Sequence, residues 1–436
     1  LARVRPEAEP HGGHREGTWA SPFKPSPPRM ARFSTLPRLI FINAASRAPG
    51  VSDRLALEGG RPAAHRPIPI SKPLIGEEEA DAVREVVLSG NLREGRRARE
   101  LESRLAAYIG VKHGVAVNSG TSSLLAAYMA ALERGTEVVM PAFTFVATAS
   151  AAALAGLKPV FADIRLDTYE MDLEDAAARM SPRTSALVLV NLYGLPGDAR
   201  AYRRLADERG VRLVIDSAQA LGALVDGREA GAYGDLSCYS FYPSKNITTG
   251  EGGLVATDDD ELADRVRLIK DHGQRGPYVH EMLGLNLRMG EMEAAIGLVQ
   301  LSKLERMIEA RRRNAERIAR GLSGIPGLQL PVEPQGRRHT YNLFTVRIDP
   351  ELYRVDRDRI VEAIRAEGVD ARVYYPVPLH MQPAFGRRGT GDVKLPNSEL
   401  AAKTVFSLPS HPALSDQDVE DVIAATTKVL DAYLKR

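Results

Sequence analysis

Lysine side chains are usually solvated and mobile, but Lys245 stands in a setting that argues against this. An apolar run, Leu236–Phe241, leads almost into it, and a glycine-rich turn, Thr248-Thr249-Gly250-Glu251-Gly252-Gly253, leads away. Partial desolvation there lowers the pKa of an ammonium and favours the neutral amine that attacks a carbonyl carbon. Ser240, five residues earlier, offers a hydroxyl to an anion carried by the same ligand. A second cluster, Asn118-Ser119-Gly120-Thr121-Ser122-Ser123, sits where a short β-type run passes into a helix. Small hydroxyl residues and a glycine at a helix start expose backbone N–H groups that cradle phosphate, though such residues also serve as ordinary N-caps. Asp216 ends the apolar run from Val211. It reads either as another cap or as a buried acid in need of a cationic N–H partner. Aromatics follow a further run in Pro141-Ala142-Phe143-Thr144-Phe145, suited to a core or to stacking on a flat ring. Taken together, a phosphate cradle, a stacking aromatic, an acid and a desolvated amine match the needs of pyridoxal 5'-phosphate.

The elements that must position these residues alternate. β-type runs fall at Gly114–Val117, Glu137–Met140, Pro159–Ala162, Ala186–Asn191, Arg212–Ile215, Leu236–Phe241 and Gly253–Thr257. Helical periodicity lies between several of them, at Ser122–Arg134, Leu173–Met180 and Ala199–Gly210. Such alternation predicts an α/β domain with a mostly parallel sheet covered on both faces. In sheets of that kind ligands sit beyond the carboxyl ends of the strands, where all four clusters fall. Helices are also expected over Ile75–Leu88 and Arg99–Tyr108, and one long helix over 291–323. Beyond Pro331 the pattern becomes sparser, with strands at Tyr341–Ile348 and Ala371–Tyr375 and helices at Asp356–Glu367 and Asp416–Leu434. The chain therefore divides into a large domain over 66–325 and a smaller C-terminal α+β domain over 326–436.

Residues 1–65 read differently. They hold ten Lys and Arg against five Asp and Glu, with Pro6, Pro10, Pro22, Pro25, Pro27, Pro28 and the single tryptophan, Trp19. No periodicity survives that composition, so a disordered basic extension is expected, with Met30 as a candidate start. The run Leu39–Ala45 is interrupted by Asn43 and makes a poor signal-peptide core. The rest of the chain is mildly acidic and offers no basic groove for nucleic acid. No apolar run approaches the ~20 residues of a membrane span. The single cysteine, Cys238, excludes an intrachain disulfide and a thiolate metal cluster, and fits a reducing cytoplasm. No metal site is expected.

From about Ile68 onward the chain resembles the DegT/DnrJ/EryC1/StrS aminotransferases. The resemblance rests on NSGTSSL at Asn118, PAFTFVAT at Pro141, IDSAQALGA at Ile215 and SFYPSKNITTGEGG at Ser240. It continues through LGLNLRMGEMEAAIGLVQL at Leu283, PVPLHMQPAF at Pro376 and FSLPSHPALS at Phe406. It implies fold type I of the pyridoxal-phosphate enzymes, the aspartate aminotransferase-like fold. It also implies transfer of an amino group from glutamate or glutamine to a keto sugar, nucleotide-linked, or a keto cyclitol. In that reading Lys245 is the Schiff-base lysine and proton shuttle, and Asp216 pairs with the pyridine nitrogen. Gln219 contacts the ring's phenolic oxygen and Phe145 stacks on the ring. Gly120, Thr121 and Ser240 bind the phosphate, and Asn286 reaches the phosphate of the neighbouring subunit, so that a homodimer shares its active sites. His380 belongs to a small-domain loop over the substrate. A branch of relatives with histidine in place of the lysine acts as dehydratases, and the presence of Lys245 favours transamination. A lyase or dehydratase on the same scaffold, and a non-catalytic protein that kept the fold, are the alternatives.

Overall fold

A computed structural model describes residues 54–386 and 393–435. Of the basic extension expected over residues 1–65, residues 1–53, with Trp19, Met30 and Leu39–Ala45, lie outside the described residues. Seven strands form the main sheet: β1 (His113–Val117), β2 (Glu137–Pro141), β3 (Lys158–Ala162), β4 (Thr184–Val190), β5 (Arg212–Asp216), β6 (Leu236–Ser240) and β7 (Gly253–Thr257). Each coincides with an expected run to within two residues. Val138, Val139 and Met140 are wholly buried, as are Leu213, Val214 and Ile215. Continuous apolar runs are what a sheet covered on both faces requires.

The order across the sheet is β1-β7-β6-β5-β4-β2-β3. Pairs among β2 to β6 are parallel, whereas β7 is antiparallel to both β6 and β1. The reversal has a local cause. The chain leaves β6 at Ser240 and turns back through Lys245, so that Gly253 opens β7 directly opposite Ser240. Phe241 N–H donates to Gly252 O at 2.9 Å, and Thr249 N–H to Phe241 O at 3.0 Å, closing the turn. With β1 and β6 pointing the same way, Asn118, Phe143, Asp216 and Ser240 all lie at one edge of the sheet.

Helices α1 (Glu77–Ser89) and α2 (Arg96–Ile109) precede the sheet. α3 (Gly120–Ala131) follows β1, α4 (Ala147–Leu154) follows β2, α5 (Leu173–Arg179) follows β3 and α6 (Ala199–Arg209) follows β4. α7 (Asp260–Lys270) follows β7 and leads to the 32-residue α8 (Glu291–Leu322). The amino-terminal part of α8 packs Ala294 and Leu304 with Leu101 and Phe241, beneath the sheet. Its carboxyl-terminal part packs Ala315, Ile318 and Leu322 into a second core with β8 (Phe344–Ile348), α9 (Arg357–Ala366) and the helix Asp416–Tyr433.

Two expectations for that second core need correction. Residues 371–375 are not a strand: Arg372 makes a single bridge to Ser407, and the chain then departs toward the site. β8 pairs instead with β9 (Val405–Leu408) on one side and with the short strand Leu328–Gln329 on the other, both antiparallel. Residues 54–65, assigned to the extension by composition, are structured. Leu55 and Ile68 are buried in the second core. The buried carboxylate of Glu367 accepts from Ala56 N–H at 2.7 Å and Ala63 N–H at 2.9 Å, and pairs with Lys428 Nζ at 2.9 Å. Backbone donors carry no compositional signal, so the anchoring was invisible in the residue types.

Glu367→Ala strands two N–H groups and leaves the nearly buried Lys428 ammonium with Arg61 O, at 2.9 Å, in place of a carboxylate. Breaking a buried pair from one side costs about 3–5 kcal/mol. Urea unfolding should register a loss of that size, and limited proteolysis should cut faster within residues 54–66. An unchanged unfolding midpoint would remove Glu367 from this role.

Candidate active site

Asp216 is the last residue of β5, 6% exposed, and its carboxylate accepts from Thr148 Oγ1 at 2.8 Å and Ala218 N–H at 3.1 Å. Burial raises its pKa, while these two donors and the charge of Lys245 pull the other way. Lys245 is partly exposed at its surface, yet its amine lies deep enough for burial to push the pKa down to about 8. The charge of Asp216 acts against that shift. The result is an amine far closer to neutrality at physiological pH than an ordinary lysine, within electrostatic reach of a carboxylate.

The cradle forms where α3 begins. Ser119 caps the helix by accepting from Ser122 N–H at 3.1 Å. The N–H groups of Gly120 and Thr121 belong to the first turn, which has no intrahelical acceptors. A Cβ at position 120 would stand 2.6 Å from Ser240 Cβ and 2.9 Å from its Oγ, so only glycine lets the helix start come this close to β6. Gly253 meets the same limit: a Cβ there would lie 2.4 Å from Ser119 O. Two free N–H groups and a hydroxyl thus converge in a space that a side chain would fill. The Ser122 hydroxyl is already committed to Asn118 Oδ1 at 2.6 Å.

Phe145 is 51% exposed at the exit of β2, an open apolar face at a strand end. Its ring lies 5.8 Å from that of Tyr375, centroid to centroid. Gln219 donates from Nε2 to the Tyr375 hydroxyl at 3.2 Å and accepts Tyr193 N–H at 2.6 Å through Oε1. Tyr193 takes a left-handed conformation, φ 60°, and its hydroxyl donates to Tyr374 O. The segment 374–375 is thereby drawn onto the site. Thr148, Tyr193 and Tyr375 escaped the sequence reading. Nothing in a threonine on a helix or a tyrosine after an irregular segment marks it as the partner of a residue far away in the chain.

The structure brings together Lys245 with Asp216, Gly120 with Ser240, and Gln219 with Phe145 through Tyr375. Two expected site residues stand apart. Asn286 is exposed, in a segment tied to the cradle by Asn118 N–H donating to Leu287 O at 2.8 Å, and its side chain makes no hydrogen bond to the cradle residues of its own chain. His380 is 2% exposed, with Nε2 3.5 Å from Glu399 Oε1. Burial lowers its pKa and Glu399 opposes the shift. Its loop reaches the site through the backbone, where Leu379 N–H donates to Ala142 O at 2.7 Å. Among the described residues, no group of three or more His, Cys, Asp or Glu is placed to hold a metal ion. No helix there is long and apolar enough to cross a membrane.

The opposed effects on Lys245 can be read without any ligand. In the full chain free of cofactor, acetylation of Lys245 by acetic anhydride, followed by peptide mass mapping, should show a pH midpoint of about 8. Surface lysines should titrate near their ordinary value, about 10.4. Asp216→Asn removes the anion that favours the ammonium, so the Lys245 midpoint should fall further. A midpoint that rises in this variant would contradict the electrostatic picture.

A profile of the DegT/DnrJ/EryC1/StrS aminotransferase family matches residues 73–427. The chain is 38% identical over 339 residues to a UDP-N-acetyl-3-dehydro-alpha-D-glucosamine 3-aminotransferase from Acidithiobacillus ferrooxidans, covering 77% of this chain and 89% of that protein. It is 37% identical over 346 residues to a dTDP-3-amino-3,4,6-trideoxy-alpha-D-glucose transaminase from Streptomyces venezuelae, covering 79% and 90%. Among solved structures, S. venezuelae DesV in complex with a ketimine intermediate superposes with a TM-score of 0.77 at 36% identity, over 81% of this chain and 94% of that one. The fold is that of the fold type I aminotransferases, and this chain belongs to the DegT/DnrJ/EryC1/StrS aminotransferase family.

Proposed function

We propose that this protein transfers an amino group from glutamate or glutamine to a keto sugar, nucleotide-linked, or to a keto cyclitol, in two half-reactions with pyridoxal 5'-phosphate as carrier. The observation that carries the proposal is a depressed lysine amine within electrostatic reach of a buried carboxylate, together with a helix start that tolerates only glycine at position 120. The sugar relatives support the acceptor class.

The residues fit the cofactor. Gly120 and Thr121 N–H groups and the Ser240 hydroxyl would hold its phosphate, and the open face of Phe145 would cover its ring. Asp216 would keep the ring nitrogen protonated, and its raised pKa in the free chain is relieved once it has a cationic N–H partner. Gln219 keeps a second Nε2 hydrogen for the phenolic oxygen, its first being used by Tyr375. When bound, the cofactor supplies an electron sink for cleavage of the substrate's Cα–H bond. Lys245 Nζ then takes and returns the proton, a task suited to an amine titrating near neutrality. Tyr375, whose ring stands 5.8 Å from that of Phe145, narrows the approach.

The assembly in this reading is a homodimer in which Asn286 of each chain completes its neighbour's phosphate site. The neighbouring apolar side chains Tyr278 and Leu283 are 91% and 90% exposed, which supports a covered surface on that flank. The large domain, 66–325, would bind the cofactor, and the small domain, 326–436, would bring Tyr375 and the His380 loop to the substrate. A cytoplasmic enzyme fits the single, buried Cys238.

The purified protein with added cofactor should be yellow, and borohydride reduction should leave the cofactor's mass on the peptide containing Lys245. Glutamate or glutamine alone should bleach the visible band by forming pyridoxamine phosphate, and a panel of nucleotide keto sugars and keto cyclitols should restore it. Lys245→Ala should lose the band and at least ~10²–10⁴-fold in turnover. A band that neither donor converts would point to a lyase or dehydratase instead.

A further inference from the structure

Behind the turn that carries Lys245 lies a cation without a carboxylate partner among the described residues. Arg311, on α8, is 4% exposed. Its guanidinium donates to two backbone carbonyls, Lys245 O at 3.3 Å and Asn342 O at 3.3 Å, while its Nε has no acceptor. No ion pair to a carboxylate is formed by it among the described residues, and burial alone pushes it down to about 10. An unpaired buried guanidinium is costly, and an apolar side chain of similar volume would fill the same space without that cost. A fixed fork of donors provides what such an apolar side chain cannot, simultaneous hydrogen bonds to two carbonyls.

The turn supplies that role. Asn342 Nδ2 donates to Ser244 O at 2.8 Å, so two consecutive carbonyls, those of Ser244 and Lys245, are held from one side. The two holders are joined, because Arg311 also grips Asn342 O. Lys245 N–H is engaged by Tyr242 O at 2.9 Å, and Asn246 Nδ2 donates to Leu221 O at 2.8 Å. The backbone of Lys245 is therefore restrained at both its N–H and its C=O. One of those restraints comes from α8 and, through Asn342, from the lead into β8. The charged group acting on the Lys245 amine is Asp216, and Arg311 reaches the residue only at its carbonyl.

We infer that Arg311 is a positioning residue for amino transfer, setting where the Lys245 amine stands relative to Asp216 by fixing the Lys245 carbonyl, with Asn342 as its relay. This rests on the reading of Lys245 as the cofactor-bearing amine. A turn released from this hold lets the lysine swing toward water, which removes the burial that keeps its ammonium disfavoured.

Three readouts on the full chain separate positioning from mere stabilisation. Without cofactor, the pH midpoint of Lys245 acetylation should rise by one unit or more in Arg311→Met, and in the same direction in Asn342→Ala. Arg311→Lys should fall between, since an ammonium reaches one carbonyl but not both in fork geometry. With cofactor, kcat should drop about tenfold in Arg311→Met while KM for the amino donor changes little, a pattern of lost transition-state alignment. Midpoint and kcat unchanged in folded Arg311→Lys and Asn342→Ala would overturn the inference, as would a loss of thermal stability with no movement in either. If Arg311→Met fails to fold, those two variants decide the matter. The acetylation midpoint needs no amino transfer, so a wild type that never takes up pyridoxal phosphate would overturn the proposed function and leave this comparison intact.

Discussion

An ammonium and a carboxylate buried together act on each other in opposite directions to their surroundings. Burial drives Lys245 toward the neutral amine and Asp216 toward the neutral acid, while each charge draws the other back to its ionised form. The balance lowers the lysine to about 8, far nearer neutrality than an ordinary ammonium. That balance is sensitive to distance, since Coulomb energy at low effective dielectric changes steeply over a few ångströms. Both groups must therefore be held by rigid elements rather than by a flexible loop.

The architecture answers that demand at several ranges. Asp216 ends a central strand whose flanking residues are wholly buried, and Thr148, on α4, orients its carboxylate. Lys245 comes from a tight connection between β6 and the antiparallel β7, closed by backbone hydrogen bonds and gripped from α8. The same reversal brings Gly253 under Ser119 and Ser240 against Gly120, so the helix start that would receive a phosphate is positioned by the strand pair that carries the amine. One local topology thus sets both the amine and the anion-cradle ends of the candidate site.

The second core participates through long connections. α8 spans both cores, and the chain from 371 to 375 leaves the edge of β9 to lay Tyr375 between Phe145 and Gln219. The segment 54–68 straps that core from outside, through Glu367 and the buried side chains Leu55 and Ile68. Movement of the second core would be felt at Gln219 through Tyr375, and at Lys245 through Asn342 and Arg311.

Much of this was written in local patterns. Mostly apolar runs marked the seven main strands, β6 with its Ser237 and Ser240 least cleanly, because burial on both faces leaves its trace in consecutive residues. Polar residues at their carboxyl ends, Asp216, Ser240 and the 118–123 cluster, marked the site, since strand ends are where such sheets bind ligands. The reversed direction of β7 was not legible, because a strand's composition is the same in either orientation. The pairing of Val405–Leu408 with β8, in place of the strand expected at 371–375, depends on which edge is free once the core has packed. Thr148, Tyr375, Asn342 and Arg311 matter through partners distant in sequence, and several of those partners are backbone atoms. A carbonyl or an N–H has no residue type, so contacts of that kind exist only once the chain has folded back on itself.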